Sequence, residues 1–345
     1  MSTTRLMQLS KKTLHELYIA AIQFKSVAPW RWMWDSNVIC VQNPAGDEDG
    51  YCVVLGRNGE FFGLDVCLGE EGLEDYFQMQ SRIISPDDMD AVHTKNCLLA
   101  SFEDRKYLEK EDLKAIKEVG LTFRGRDACP KFRRYEPGFF PWYISEAQAI
   151  FLTHCLQQVL DVAIKFKDNS DLLEPKGKNG YFTRVCEKKG KNVVWHDAWI
   201  KSKALRKVVV VRNDVDEEKI SRVFDAAERT SMVWQADYFW APMPVREGKG
   251  RPYFPVMYML SDQESYFIFD TQFEQKNNYG NSMGDALIRA IEKHGIYPKK
   301  IVFQKPEVGL ALGYFGKKFD IKIERVNQLK AIDDARRGAF DFFRK

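Results

Sequence analysis

Arg124, Arg126, Lys131, Arg133 and Arg134 fall within one short stretch of the chain, and Phe132 and Tyr135 interleave with them. Guanidinium groups beside aromatic rings can grip phosphates and stack on bases, so the stretch is the candidate site for a nucleic acid or another anion. The plainer reading is a solvated loop at a sheet edge, its cations balanced by Asp127 and Glu136. Other chemistry-bearing residues are scattered. None of the five histidines (His15, His93, His154, His196, His294) stands at zinc-ligand spacing from another His or Cys. His196 and Asp197 are neighbours between Trp195 and Trp199, which suits a polar pair at a strand end better than an oriented imidazole. No glycine-rich phosphate loop and no GxSxG nucleophile turn occurs.

The charge balance limits what the arginine stretch can mean. The 345 residues carry a formal charge of +3, short of the basic footprint of a dedicated nucleic-acid binder. A hydrophobic content of 45% and an aromatic content of 13% suit two globular cores and argue against disorder. The N-terminal residues lack the apolar core of a signal peptide. No window of roughly 18 apolar residues occurs, so no membrane span is expected. The seven cysteines are odd in number, include no CxxC pair and sit mostly in apolar segments, as buried thiols of a reducing compartment do. A cytoplasmic protein without membrane association is therefore expected.

The elements that must position these residues can be read from periodicity. Leu14, Leu17, Tyr18 and Ala21 predict a helix over 13–24, with Thr13 and Glu16 as its capping box. Strands follow over 38–42, 51–56 and 60–68, the last two joined by the Asn-Gly turn of Gly56–Gly59. A helix over 70–80, a strand over 97–102, a helix over 108–119 and a strand over 121–124 come next. Ser145 and Gln148 cap a long helix reaching about residue 166. A polar linker precedes a hairpin over 181–199, a strand over 205–212 and a helix over 216–229. The remainder predicts strands over 234–240, 253–260 and 265–271, a helix over 282–294, a strand over 300–303, a helix over 307–317, a strand over 321–326 and a final helix over 328–343. The expected domains are an N-terminal helix over 1–30, a first α/β domain over 31–167, a connector over 168–231 with a hairpin, a strand and a helix, and a second α/β domain over 232–345.

Both α/β domains thus read β-β-β-α-β-α-β-α. Tyr51–Asp65 lies over Val256–Asp270 without a gap, and Phe102 has its counterpart in Phe303. This order resembles the ribonuclease H-like fold of ribonuclease H, retroviral integrases and DDE transposases, and implies an α/β chain of two tandem units with mixed sheets. In that fold the first three strands form an antiparallel meander and the later strands join through right-handed crossovers. The whole chain also resembles a group of bacterial two-region proteins of unknown function, a likeness that implies no activity.

The resemblance implies where catalytic carboxylates belong. In that superfamily acids on the first strand, at the end of the fourth and on facing helices hold two divalent metals that activate water. Asp237 matches the first-strand position, and Asp285, Glu307, Asp333 and Asp334 are the remaining candidates, with Asp237, Glu307 and Asp333 as the metal ligands. The fourth strand departs from the pattern: Gln304 or Lys305 stands where the acid belongs, and a lysine there repels metal. In the first domain Glu103 and Asp104 end the fourth strand, Asp35 precedes the first, and Asp65 lies on the third. The broken acid pattern favours a non-catalytic interaction or ligand-binding protein, with no cofactor and with a protein as one option for a partner that the residues do not identify. The alternatives are a nuclease or integrase-like enzyme that cleaves phosphodiesters with Mg²⁺ or Mn²⁺, and a nucleic-acid-binding protein using the arginine stretch.

Overall fold

The computed structural model describes residues 9–81, 93–175, 180–190, 192–201, 216–248, 250–274 and 279–343. The chain is a mixed α/β protein with two compact units. One comprises Met1–Ile83, Thr94–Pro137 and Pro141–Leu205, the other Ile84–His93, Gly138–Phe140 and Arg206–Lys345. The strand expected over 205–212 lies outside the described residues.

The first unit opens with α1 (Lys11–Val27), which buries Leu14, Leu17, Tyr18, Ala21 and Phe24. Its cap is Ser10, whose hydroxyl accepts from the Thr13 N–H, so the helix starts before the expected Thr13. Next come β1 (Ile39–Val41), β2 (Gly50–Leu55), β3 (Gly63–Leu68), α2 (Gly69–Ser81), β4 (Cys97–Glu103), α3 (Lys110–Glu118), β5 (Cys129–Tyr135), α4 (Glu146–Asp168), β6 (Tyr181–Lys189) and β7 (Asn192–Ile200). The expected β2–β3 turn forms: Gly59 donates to the Gly56 carbonyl at 3.0 Å and takes φ +81°, a conformation glycine adopts without strain. The capping box of α4 also forms, with Ser145 and Gln148 bonding each other's backbone N–H. By length and composition α4 could cross a membrane, yet 56% of its apolar window is buried. Its Leu152, Cys155, Leu156 and Val159 are fully enclosed in the core that α1 and the sheet share.

The seven strands lie in the order β5-β4-β3-β2-β1-β6-β7. Here three expectations are corrected. No strand forms over 121–124; the fifth strand is β5, formed by the arginine stretch itself. β4 does not cross over to lie beside β1 but extends the meander, pairing antiparallel with β3 and with β5. The hairpin assigned to the connector is β6–β7, and it belongs to this sheet, with β6 parallel to β1. The reason is competition for one edge. The long helix α4 delivers β6 to the open side of β1, so no place remains there for β4.

The second unit contains α5 (Glu217–Asp225), β8 (Glu228–Arg229), β9 (Val233–Trp240), β10 (Val256–Asp262), β11 (Ile268–Glu274), α6 (Tyr279–His294), β12 (Ile296–Tyr297), β13 (Lys300–Phe303), α7 (Pro306–Lys318), β14 (Lys322–Arg325) and α8 (Lys330–Phe343). Its main sheet has the order β11-β10-β9-β13-β14. β9, β10 and β11 form an antiparallel meander, and β13 and β14 add parallel strands on the other side of β9. Alternation splits β9 between two cores. Trp234, Ala236 and Trp240 pack with residues of α6 and α7, whereas Phe239 packs with Leu329 and Ile332 at the start of α8. Gln235 lies on that second side, and its buried carbonyl oxygen accepts from the Ala331 and Ile332 N–H groups at 3.0 and 3.3 Å. A strand side chain thus satisfies first-turn donors that a helix cannot satisfy for itself.

Candidate functional site

The carboxylates of the second unit do not converge. Asp237, central in β9, is only 3% exposed. Its Oδ1 accepts from the Tyr238 N–H at 2.8 Å and lies 3.6 Å from Lys305 Nζ. Lys305 stands just beyond the end of β13, and the parallel pairing of β13 with β9 brings it alongside Asp237. The ammonium also donates to the Tyr238 carbonyl and sits 4.2 Å from the Tyr238 ring centroid. Glu307 and Asp333 lie half-buried in the first turns of α7 and α8, while Asp285 and Asp334 are exposed. Asp334 pairs with Arg337 at 3.2 Å. Gln304, the other residue at the fourth-strand end, donates to the Asn327 carbonyl at 2.7 Å. Among the described residues no three His, Cys, Asp or Glu side chains gather in a way that holds a metal. These residues therefore do not fit a two-metal centre: the buried one among the five candidates, Asp237, already faces a cation.

The acids of the first unit are likewise engaged. Asp104 accepts from the Asp127 N–H at 2.8 Å, Glu103 accepts from the Ser101 hydroxyl at 3.1 Å, and Asp35 accepts from Gln80 at 3.0 Å. Asp65 in β3 is 1% exposed and pairs with Lys95 at 2.6 Å. Burial works against the Lys95 charge, but Asp65 more than offsets it and holds the ammonium above the ordinary lysine range. Lys95, just ahead of β4, is a partner that local sequence could not reveal.

The later part of the arginine stretch is the edge strand β5, Arg124 and Arg126 precede it, and the cations serve different neighbours. Arg133 is 5% exposed and grips Asp112 of α3 with two bonds, at 2.8 and 2.7 Å. Glu109 lies 3.2 Å from the same guanidinium, and the Tyr143 ring covers its face at 4.6 Å. Burial opposes this charge, and the Asp112 bonds outweigh burial and hold it. Arg134 donates to the Cys97 and Tyr135 carbonyls, and burial lowers its pKa. Lys131 donates to the Tyr107 carbonyl at 3.2 Å, and Arg126 pairs with Asp127 at 3.2 Å. Arg124 and Arg126 are exposed; the five cations do not form one basic face.

Sequence reading missed the residues around Arg133. Asp112, Glu109, Tyr18 and Tyr143 come from α3, α1 and the segment before α4. One signal was available: Glu109 and Asp112 form a capping box at the start of α3, which fixes Asp112 in place to receive a cation.

No curated protein matches the chain. Residues 15–184 match a family described as a domain of unknown function, DUF7309. Residues 219–340 match a second domain of unknown function, DUF6930. The first match runs past α4 into β6, in keeping with the place of β6 beside β1. The chain is thus a two-region protein, each region similar to a different domain of unknown function.

Proposed function

We propose that this protein binds a ligand or partner without catalysing a reaction, and that its second unit is a ribonuclease H-like scaffold that has lost its metal centre. The order β11-β10-β9-β13-β14, a meander followed by parallel strands, supports the scaffold. The loss of catalysis rests on one observation, the Lys305 ammonium 3.6 Å from the Asp237 carboxylate. A divalent ion beside Asp237 meets that like charge at close range in a site sheltered from water, where repulsion is weakly screened. Nucleic-acid binding through the arginine stretch has less support, because Arg133 and Arg134 are engaged inside the fold. The free cysteines, all buried but the half-exposed Cys186, support a reducing, cytoplasmic setting.

The test is incubation with Mg²⁺ or Mn²⁺ and labelled single-stranded, duplex and hybrid nucleic acids. No cleavage is expected, and no rise in melting temperature with either metal. Cleavage that disappears in Asp237→Asn overturns the reading.

A further inference from the structure

A cavity of about 150 Å³ opens in the first unit between α1, α3 and β5, lined among others by Leu14, Tyr18, Asp112, Ala115, Phe132 and Ile144. Its floor is apolar: Leu14, Phe132 and Ile144 are 6%, 7% and 4% exposed. A cavity on the order of 150 Å³ admits a single benzene ring.

Two polar features set the ligand's chemistry. The first is the Tyr18 hydroxyl. Tyr18 is 2% exposed, its ring meets Phe132 edge-on at 5.2 Å, and none of the described residues hydrogen-bonds its hydroxyl. The Tyr18 ring is enclosed, yet its oxygen stays open to the cavity, where a ligand can reach it. Burial, with Asp112 adding to it, pushes its pKa up, so it stays protonated. The second feature is charge. Glu111, Asp112 and Glu118 line the cavity together with Lys114, and Glu109 and Arg133 adjoin Asp112. That is four carboxylates against two cations. The Tyr143 hydroxyl lies between Glu109 and Glu111, 3.2 Å from the second; its one proton goes to Glu109, and so it holds that acid in place.

We propose that this cavity binds a small aromatic amine. The ring lies on the apolar floor. The ammonium donates to the Tyr18 oxygen and faces the acidic mouth, which repels an anion of the same shape. This deepens the ligand-binding reading and rests on it. Failure of that reading shows as metal-dependent cleavage, failure here as absent or unselective binding.

The probe is benzylamine, titrated calorimetrically into the full chain, with benzyl alcohol and benzoate as the neutral and anionic counterparts. Benzylamine is expected to bind at least about tenfold more tightly than benzoate, with benzyl alcohol between them. Tyr18→Phe weakens benzylamine several-fold, and Ala115→Leu fills the cavity and abolishes binding. Should Ala115→Leu fail to fold, the exposed pair Glu111→Gln with Glu118→Gln makes the same test: benzylamine weakens while benzyl alcohol does not. Absence of benzylamine binding, equal binding of benzoate, or binding unchanged in the folded variants overturns the proposal.

Discussion

Asp65 in β3 and Asp237 in β9 each face a lysine that stands just outside a strand, Lys95 before β4 and Lys305 after β13. A carboxylate buried in a sheet needs a cation or hydrogen-bond donors within reach, or it must take up a proton. Lys95→Met leaves the Asp65 charge enclosed and unpaired, and is expected to lower unfolding free energy by about 3–5 kcal/mol. The double variant Asp65→Leu with Lys95→Met recovers most of that, since apolar replacement of a buried pair is often neutral. Denaturant midpoints check both. Acid acts through a different residue. Burial in α4 lowers the His154 pKa below 6.5, with Glu16 opposing weakly. As pH falls below 6.5 the unfolded chain takes up a proton that folded His154 resists. The unfolded state then binds more protons, and stability falls with pH. His154→Gln is expected to shrink the difference in urea midpoint between about pH 7.5 and about pH 5.5. At this scale the sequence placed Gln304 and Lys305 near Asp237, because strand order alone puts the end of the fourth strand beside the first. It could not show Lys95 on Asp65 or Asp112 on Arg133, because nothing local relates those positions.

Helix α7 sits on β13 through Gly309. A Cβ there would come within 2.3 Å of the Phe303 ring, itself only 8% exposed. Gly309→Ala forces a packed aromatic to move, and is expected to cost about 1–3 kcal/mol despite alanine's better helix propensity. Thermal melts of the variant and of Gly313→Ala test this, since a Cβ at Gly313 meets nothing within 4 Å. Ser145→Ala removes a cap from the helix that packs against β1 to β4, and is expected to cost about 1 kcal/mol. Most elements were legible because alternation and caps are local signals. β5 was not. Pro130 and three cations argue against a strand, yet an edge tolerates a missing donor, and charges there discourage pairing with other chains.

For the molecule as a whole, the sequence suggested one plan used twice, and the two sheets share it only as far as the meander. Element order does not fix which edge a strand joins. In the second unit α6 returns the chain to the free side of β9; in the first, β6 takes the corresponding place beside β1. A chain cut after Asp168 therefore lacks two strands of its first sheet and exposes the β1 edge. It is expected to aggregate on gel filtration, whereas a chain cut after Lys201 keeps all seven strands and elutes as a compact species.

β1 has a further consequence. It is 3 residues long, yet it carries the only described pairing between the five-strand meander and the β6–β7 hairpin. Under tension the sheet has a tear line there. A load drawn across it parts the hairpin from the meander with few bonds broken, and stretching a single molecule by its first unit would show that rupture as an early, low-force step.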